Sequence, residues 1–363
     1  MKLFLKIIHR RIYKLCKERV ADTQFGFMKG VGTRDALFCL QVLFQRCRDM
    51  NCDVFACFID YRKAFDRVRH ERMVEILRSI GLDDKDLRII VNLYWNQSAS
   101  VSLENDSTEE VRIRRGVRQG CVLSPLLFNI YYEYIFRDAL EGMEVGILLN
   151  GERINNLRYA DETVVFTDSL DDLQNLMERL VHSSQQYGLD INTDKTKLMV
   201  ISKNRIPTCH LIINNKRIEQ VSKYSYLGTI VNEQWEQSQE IKSRTERARA
   251  VFNKMKNIFT SHDLTMTIKM KLIRCYVFSV LFYGVESWTL TKASCRKLEA
   301  FEMWLYRRML RVSWPDRVIK EEILRRMRKN MEVLLTVKCR KLQYLGHIMR
   351  NESRFYLLQS ILQ

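Results

Sequence analysis

Arg158-Tyr159-Ala160-Asp161-Glu162-Thr163-Val164-Val165-Phe166 decides how this chain is read, together with Cys57-Phe58-Ile59-Asp60 far upstream. In both stretches apolar and β-branched residues predict a buried strand, and carboxylates interrupt the run. Residues 154–159 rise into Ala160-Asp161-Glu162 and residues 163–167 run away from it, which predicts a hairpin with two acids at or beside its tip. A carboxylate among such side chains is costly to bury unless positive charge sits on it, and a divalent cation is the simplest candidate. If Asp60 ends a neighbouring strand, Asp60, Asp161 and Glu162 converge on one point as metal ligands.

Composition narrows the partners. Lys and Arg outnumber Asp and Glu by 60 to 43, a net charge of +17, which favours a polyanion: nucleic acid first, an anionic membrane surface second. The 363 residues are 46% hydrophobic, enough for a sizeable interior, and three prolines and 13 glycines exclude a disordered or collagen-like chain. Ten cysteines show no C-x-x-C pair and no zinc spacing, so they are expected to be reduced thiols in an intracellular protein. The apolar start is broken by Lys6, His9 and Arg10-Arg11, and no stretch reaches membrane-spanning length.

Along the chain, Leu5, Ile8, Ile12 and Leu15 predict a helix over residues 3–20. A Gly-rich loop, Gln24-Phe25-Gly26-Phe27-Met28-Lys29-Gly30, follows, and Thr33 or Asp35 is a candidate cap for a helix running to Arg48. Residues 54–59 read as a strand, and helices are expected around residues 73–77 and from Asp83-Asp84 to Tyr94. Residues 99–113 alternate around Asn105-Asp106 as a hairpin, with Val101 and Leu103 facing Val111 and Ile113. The basic loop Arg112-Ile113-Arg114-Arg115-Gly116-Val117-Arg118-Gln119-Gly120-Cys121 opens onto Ser124-Pro125, a candidate N-cap and first helical position. A helix N-terminus under a cationic loop suits an anion such as phosphate. Residues 171–187 predict a helix, residues 198–201 a strand, and short strands flank Asn214-Asn215. Beyond residue 236 the pattern is helical and basic, and the interleaved Trp288, Trp304 and Trp314 read as core packing.

Taken together, these motifs resemble the reverse transcriptase domain of non-LTR retrotransposons. The resemblance rests on Phe58-Ile59-Asp60-Tyr61-Arg62-Lys63-Ala64-Phe65-Asp66, on Gly116-Val117-Arg118-Gln119-Gly120 through Asn129, and on Tyr159-Ala160-Asp161-Glu162 in place of a Tyr-Ala-Asp-Asp box. Gly188-Leu189 with Asn192 and Lys195-Thr196, Tyr226-Leu227-Gly228 and the Gln24-Phe25-Gly26-Phe27 loop follow the family's order over residues 20–230. The resemblance implies an α+β right-hand polymerase fold with partial fingers (1–49), a palm with an antiparallel sheet (50–232), a helical thumb and connection (233–315) and a basic helical C-terminal segment (316–363). It implies template-directed transfer of deoxynucleotides to a primer 3′-OH, with RNA template, DNA primer and dNTPs as partners. Two Mg2+ ions, with Mn2+ as a substitute, would be held by Asp60, Asp161 and Glu162, helped by the Tyr61 carbonyl. Phe65 is the expected gate against a 2′-OH. Arg118, Gln119, Gly120, Tyr159 and Lys29 are expected around the nucleotide and template, and Lys195 near the triphosphate as a proton donor.

The chain departs from the family at two of these positions. Glu162 stands where the family has its second Asp, and an extra methylene displaces the carboxylate. Met28 stands where an Arg is common. With an expected truncation that lacks the endonuclease domain, these departures set the alternative expectation: a catalytically inactive remnant that binds RNA or RNA–DNA hybrid. A nuclear and cytoplasmic location is expected for either.

Overall fold

The computed structural model describes residues 2–362 other than 96, 104, 105, 205, 314 and 352–354. The Asn105 turn position and Trp314 therefore lie outside the described residues. The chain forms two compact units, residues 1–227 with 360–363, and residues 228–359. Among the described residues no helix is long and apolar enough to cross a membrane.

The first unit is built on a five-stranded sheet. Its strands are β1 (Val54–Ile59), β2 (Asn156–Tyr159), β3 (Glu162–Thr167), β4 (Lys197–Ile201) and the short β5 (Glu219–Gln220), in spatial order β5-β4-β1-β3-β2. The unbroken apolar run of β1 places it at the centre, where a strand is covered on both faces. Pairing is antiparallel at β1–β4, β1–β3 and β2–β3, as expected for the palm, whereas β5 lies parallel to β4. Cys57 is opposite both Val165 and Leu198. These three, with Ile59 and Val200, share one core with the helices Ser124–Leu140 and Leu170–Gln186. The alternate residues point the other way, as the two-residue period of a strand requires: Phe58 stacks on Tyr224 at 4.5 Å and Phe166 meets Phe44 edge-on at 5.4 Å.

The N-terminal helix Lys2–Lys17 packs Leu5, Ile8, Ile12 and Cys16 into the same core, so segments expected as fingers and palm share one interior. Helices Thr33–Asp49, His70–Ser79 and Asp84–Tyr94 form where the apolar spacing places them. Two details differ from expectation. Ser124 is already helical and makes no capping bond; its hydroxyl meets that of Tyr94 at 3.1 Å. The 98–112 hairpin pairs Ala99 with Val111 and Leu103 with Asp106, and Val101, Leu103 and Val111 stay exposed instead of facing a core.

The second unit is mostly helical. Its core joins Ile241, Phe252, Phe259 and Trp288 to Ile323, Met327, Val333 and Val337, so helices on both sides of residue 316 share one interior. All ten cysteines of the chain are free thiols.

One contact in the first unit admits no side chain. A Cβ added to Gly26 would lie 2.2 Å from the Ala160 nitrogen and 2.7 Å from the Tyr159 carbonyl carbon, both backbone atoms that cannot swing aside. Beneath the same hairpin, Arg158 is buried, donates to Glu133 at 2.9 Å and lies 4.5 Å from the Phe136 ring centroid. Gly26→Ala is therefore expected to lower the stability measured by urea unfolding by about 1–3 kcal/mol. Gly346→Ala, within the helix Val333–Met349 and facing only the flexible end of Arg350, should be neutral or gain about 0.5–1 kcal/mol. Glu133→Ala leaves a buried guanidinium uncompensated and should cost about 3–5 kcal/mol in the same measurement.

Candidate active site

Asp60 follows directly on β1, and its backbone is tied down on both sides. Its carbonyl accepts from the Asn192 N–H at 2.8 Å, and its own N–H donates to the Thr196 hydroxyl at 3.4 Å. The Asn192 side-chain amide donates to the Asp60 carboxylate at 3.2 Å, and the Lys195 ammonium stands 3.9 Å from the same oxygen, loosely, with its side chain 69% exposed. In the sequence Asn192 and Thr196 belong to the motif that begins at Gly188-Leu189, but nothing there assigns them to Asp60.

Asp161 sits in the two-residue turn between β2 and β3, where Tyr159 pairs with Glu162. Ala160 adopts a φ of 57°, a conformation L-residues seldom occupy without support. The support comes from the loop at residues 23–26. Gln24 accepts from the N–H groups of both Ala160 (3.0 Å) and Gly26 (2.9 Å) through one side-chain oxygen. Phe25 N–H donates to the Arg158 carbonyl and Arg158 N–H to the Thr23 carbonyl, each at 2.8 Å, so the loop lies along the outer edge of β2. Asn129, from helix Ser124–Leu140, donates to the Gly26 carbonyl at 2.7 Å.

Because β1 and β3 are neighbours, Asp60 and the turn acids lie at the same end of the sheet. Their charges act on one another. Burial holds the Asp161 carboxyl above its ordinary range, and the charge of Asp60 adds to the effect. Partial desolvation likewise raises Glu162, reinforced by Asp161 and Asp60 and opposed by a hydrogen bond from the Leu227 N–H. The nearby Tyr224 phenol is pushed up to about 12 by burial, then by the charges of Glu162 and Asp60. The expected convergence of three carboxylates on one point needs correction. Among the described residues no three acidic, histidine or cysteine side chains are grouped closely enough to hold one ion. Asp161 lies in the turn and Glu162 opens β3, where the Leu227 N–H donates to the Glu162 carboxylate. The donors that remain, the Asp60 and Asp161 carboxylates, are hard oxygens of the kind that suits a divalent cation.

The other expected site residues divide into those near the acids and those elsewhere. Phe65 stacks on Phe128 at 4.4 Å and meets Phe27 edge-on at 6.3 Å, and Phe27 in turn lies 6.5 Å from Tyr159. Phe27, half-exposed at a φ of 58°, thus joins Phe65 to the acid hairpin, a link no local pattern discloses. The Tyr61 ring is buried and its hydroxyl meets Ser184 at 2.9 Å, so only its backbone remains for the acids. The loop carrying Arg118, Gln119 and Gly120 is pinned to Phe65, whose carbonyl accepts from the Val117 N–H at 2.8 Å. Arg118 itself donates to Gln97 at 2.8 Å, while Lys29 is exposed and its N–H donates to the Tyr13 hydroxyl at 2.9 Å. Among the described residues no hydrogen bond or ion pair joins Arg118, Gln119, Gly120 or Lys29 to the acids.

Comparison with known proteins identifies the family. The family profile for reverse transcriptase (RNA-dependent DNA polymerase) matches residues 1–231. A transposon-derived protein of Caenorhabditis elegans is 30% identical over 213 residues, 56% of this chain and 75% of that protein. The Pol polyprotein of the type-1 retrotransposable element R2 from Nasonia vitripennis is 25% identical over 61% of this chain but 23% of its own length. The RNA-directed DNA polymerase of the mobile element jockey from Drosophila funebris is 23% identical over 86% of this chain and 35% of its own length. This chain therefore spans about a quarter to a third of those two retrotransposon proteins. Among solved structures, telomerase from Candida tropicalis in complex with a telomeric RNA fragment aligns with 98% of this chain and 56% of that one, at 15% identity and a TM-score of 0.47. The chain belongs to the reverse transcriptase family, with relatives among the non-LTR retrotransposons, and its structure is of the α+β class.

Proposed function

We propose that this chain is an RNA-directed DNA polymerase of a non-LTR retrotransposon, adding deoxynucleotides to a primer 3′-OH on an RNA template inside the cell. The observation that carries this reading is the pair Asp60 and Asp161, set at one end of adjacent strands with only the exposed Lys195 ammonium, 3.9 Å from Asp60, as a nearby positive charge. The reverse transcriptase family uses divalent metal ions. Here Asp60 and Asp161, with the Tyr61 carbonyl, are the groups to hold two Mg2+ or Mn2+ ions. Bound there, such ions supply Lewis-acid polarisation of the phosphoryl oxygens and make the primer hydroxyl a better nucleophile.

The chain's own groups do the positioning. Phe65, braced by Phe128 and Phe27, forms an aromatic wall suited to rejecting a 2′-OH. Lys195 brings a mobile positive charge to the edge of the acids and is placed to give a proton to the departing pyrophosphate. Arg118, Gln119 and Gly120 are carried on a loop whose position is locked to Phe65 and so moves with that wall. RNA template, DNA primer and dNTPs are the partners this assigns.

A second reading, a protein that binds RNA or RNA–DNA hybrid without catalysis, is favoured by the Leu227 N–H that already occupies the Glu162 carboxylate. Primer extension on poly(rA) with oligo(dT), dTTP and Mg2+ or Mn2+ separates the two. Extension that Asp161→Ala abolishes, and that Glu162→Asp raises by up to roughly 10²-fold, is expected of the polymerase. No extension by the chain or by Glu162→Asp, with hybrid still bound, would establish the second reading.

The raised carboxyls give a separate test. A carboxyl whose folded-state pKa lies above its unfolded value is destabilising once ionised, so stability falls as pH rises from the ordinary carboxylate range through the raised value. In EDTA at neutral pH, Asp161→Asn should therefore melt above the wild-type chain. Mn2+ should raise the wild-type Tm and leave that of Asp161→Asn nearly unmoved. Identical melting of the two proteins under both conditions would count against a cation site at Asp161.

A further inference from the structure

The second unit contains a cavity that the polymerase reading leaves unused. It measures about 500 Å3 and is lined by Lys256, Thr260, Trp304, Arg307, Arg308 and Arg311. Lys256 opens the short helix Lys256–Thr260, Arg307 and Arg308 lie in the last turn of helix Lys292–Met309, and Arg311 follows just beyond it. Basic residues in a last helical turn are common because they complement the helix dipole. That accounts for Arg307 and Arg308 but not for the two cations brought to the same cavity from outside the helix.

The positive charge there is not neutralised. Among the described residues none of the four cations has a carboxylate within ion-pair distance. The acids nearest along the chain are engaged elsewhere: Asp316 accepts from the Ser313 N–H at 2.6 Å and Glu302 from the Tyr306 hydroxyl at 2.6 Å. Two guanidiniums are instead fixed by backbone carbonyls: Arg307 donates to Val318 at 2.7 Å, and Arg311 donates twice to Thr260, at 2.8 and 2.5 Å. A carbonyl orients a guanidinium without cancelling its charge, and the planar fork keeps further N–H groups for an anion. Trp304 is half-buried, with the guanidiniums of Arg249 and Arg308 at 5.3 and 5.8 Å from its ring centroid. Close by, the buried Lys269 is held below the usual lysine range by its burial and by the charge of Arg311. Positive groups crowding one another in this way are relieved by an anion.

We propose that this cavity binds one or two phosphates of a single strand of nucleic acid, with Trp304 and its flanking guanidiniums forming the wall against which a base packs. The proposal rests on the reading that the partners of this chain are nucleic acids. Phosphodiester is the anion that fits several fixed arginines at once, through paired N–H donors. A concave site of this volume takes a nucleotide, whereas a rigid duplex cannot enter it; basic grooves with an aromatic wall are the usual means of holding single strands. RNA and DNA share this chemistry.

The test uses the full chain and fluorescence anisotropy with labelled rU and dT dodecamers, each titrated at several salt concentrations. Lys256→Gln/Arg308→Gln removes two cavity cations while sparing the guanidiniums that brace the backbone. Lys297→Gln/Lys338→Gln removes the same charge from exposed positions outside the cavity. With unchanged thermal melting, the cavity variant is expected to bind the oligonucleotides about tenfold more weakly and to lower the slope of log K against log salt by roughly 0.7 for each phosphate it no longer neutralises. The charge-matched control should bind nearly as the parent does. Equal losses for rU and dT would assign the phosphates as the determinant, and a loss confined to one would assign that strand. Equal binding by the two variants would overturn the cavity, and a blunt DNA hairpin competing as well as the dodecamers would overturn its preference for single strands. Primer extension on the same preparations keeps the two sites apart. Extension with no effect of the cavity variant on binding sinks the cavity alone, whereas a cavity effect without any extension sinks the polymerase reading alone.

Discussion

The contact between Gly26 and the Tyr159–Ala160 peptide is the constraint on which the acidic site depends. Backbone meets backbone there with no room for a Cβ, so the loop at residues 23–26 can lie flat along β2. That proximity lets one oxygen of Gln24 accept from both Gly26 and Ala160. The two bonds hold Ala160 in its left-handed conformation and so set the direction in which Asp161 leaves the turn. Asn129 secures the loop from the helix side, which ties the turn to the core packed under the sheet. The acids are thus placed before any ligand arrives, by packing and hydrogen bonds remote from the chemistry.

Charge is distributed in this unit so that the acids remain short of partners. Arg158, one residue from Tyr159, is committed below the hairpin to Glu133 and to the Phe136 face. Lys195 is near Asp60 but mostly in solvent, where an ion pair contributes little. Burial and mutual repulsion then raise Asp161 and Glu162, so the folded chain carries an electrostatic cost that a cation would remove. Such a cost at a functional site is the familiar exchange of stability for activity.

Two tryptophans with the same sequence signature have different roles in the second unit. Trp288 is fully buried in the helical core. Trp304 packs on Phe301 and Phe252 at the edge of the same core, but is half-buried, takes two guanidiniums against its ring and lines a cationic cavity. Helical spacing among basic residues predicts core for both, because periodicity reports which face of a helix a residue occupies and not what the neighbouring helix leaves uncovered.

The sequence by itself determined the strand and helix order, the acid hairpin, the basic balance and the family. Each follows from local pattern: continuous apolar runs for β1 and β3, a short polar turn between strands, and motifs in a fixed order. It also placed Asp60 at a strand end, since the apolar run stops there. What only the tertiary structure decided concerns residues far apart in the chain. That β1 and β3 are neighbours, that Gly26 must lack a side chain because of Ala160, and that Phe27 reaches Phe65 and Tyr159 are consequences of distant chain segments meeting. The Leu227 N–H on the Glu162 carboxylate was hidden for a related reason, because it comes from a segment more than sixty residues away. Exposure at Val101, Leu103 and Val111 was likewise undecided by their alternation, since a period of two marks one face of a strand and only packing says whether anything covers it.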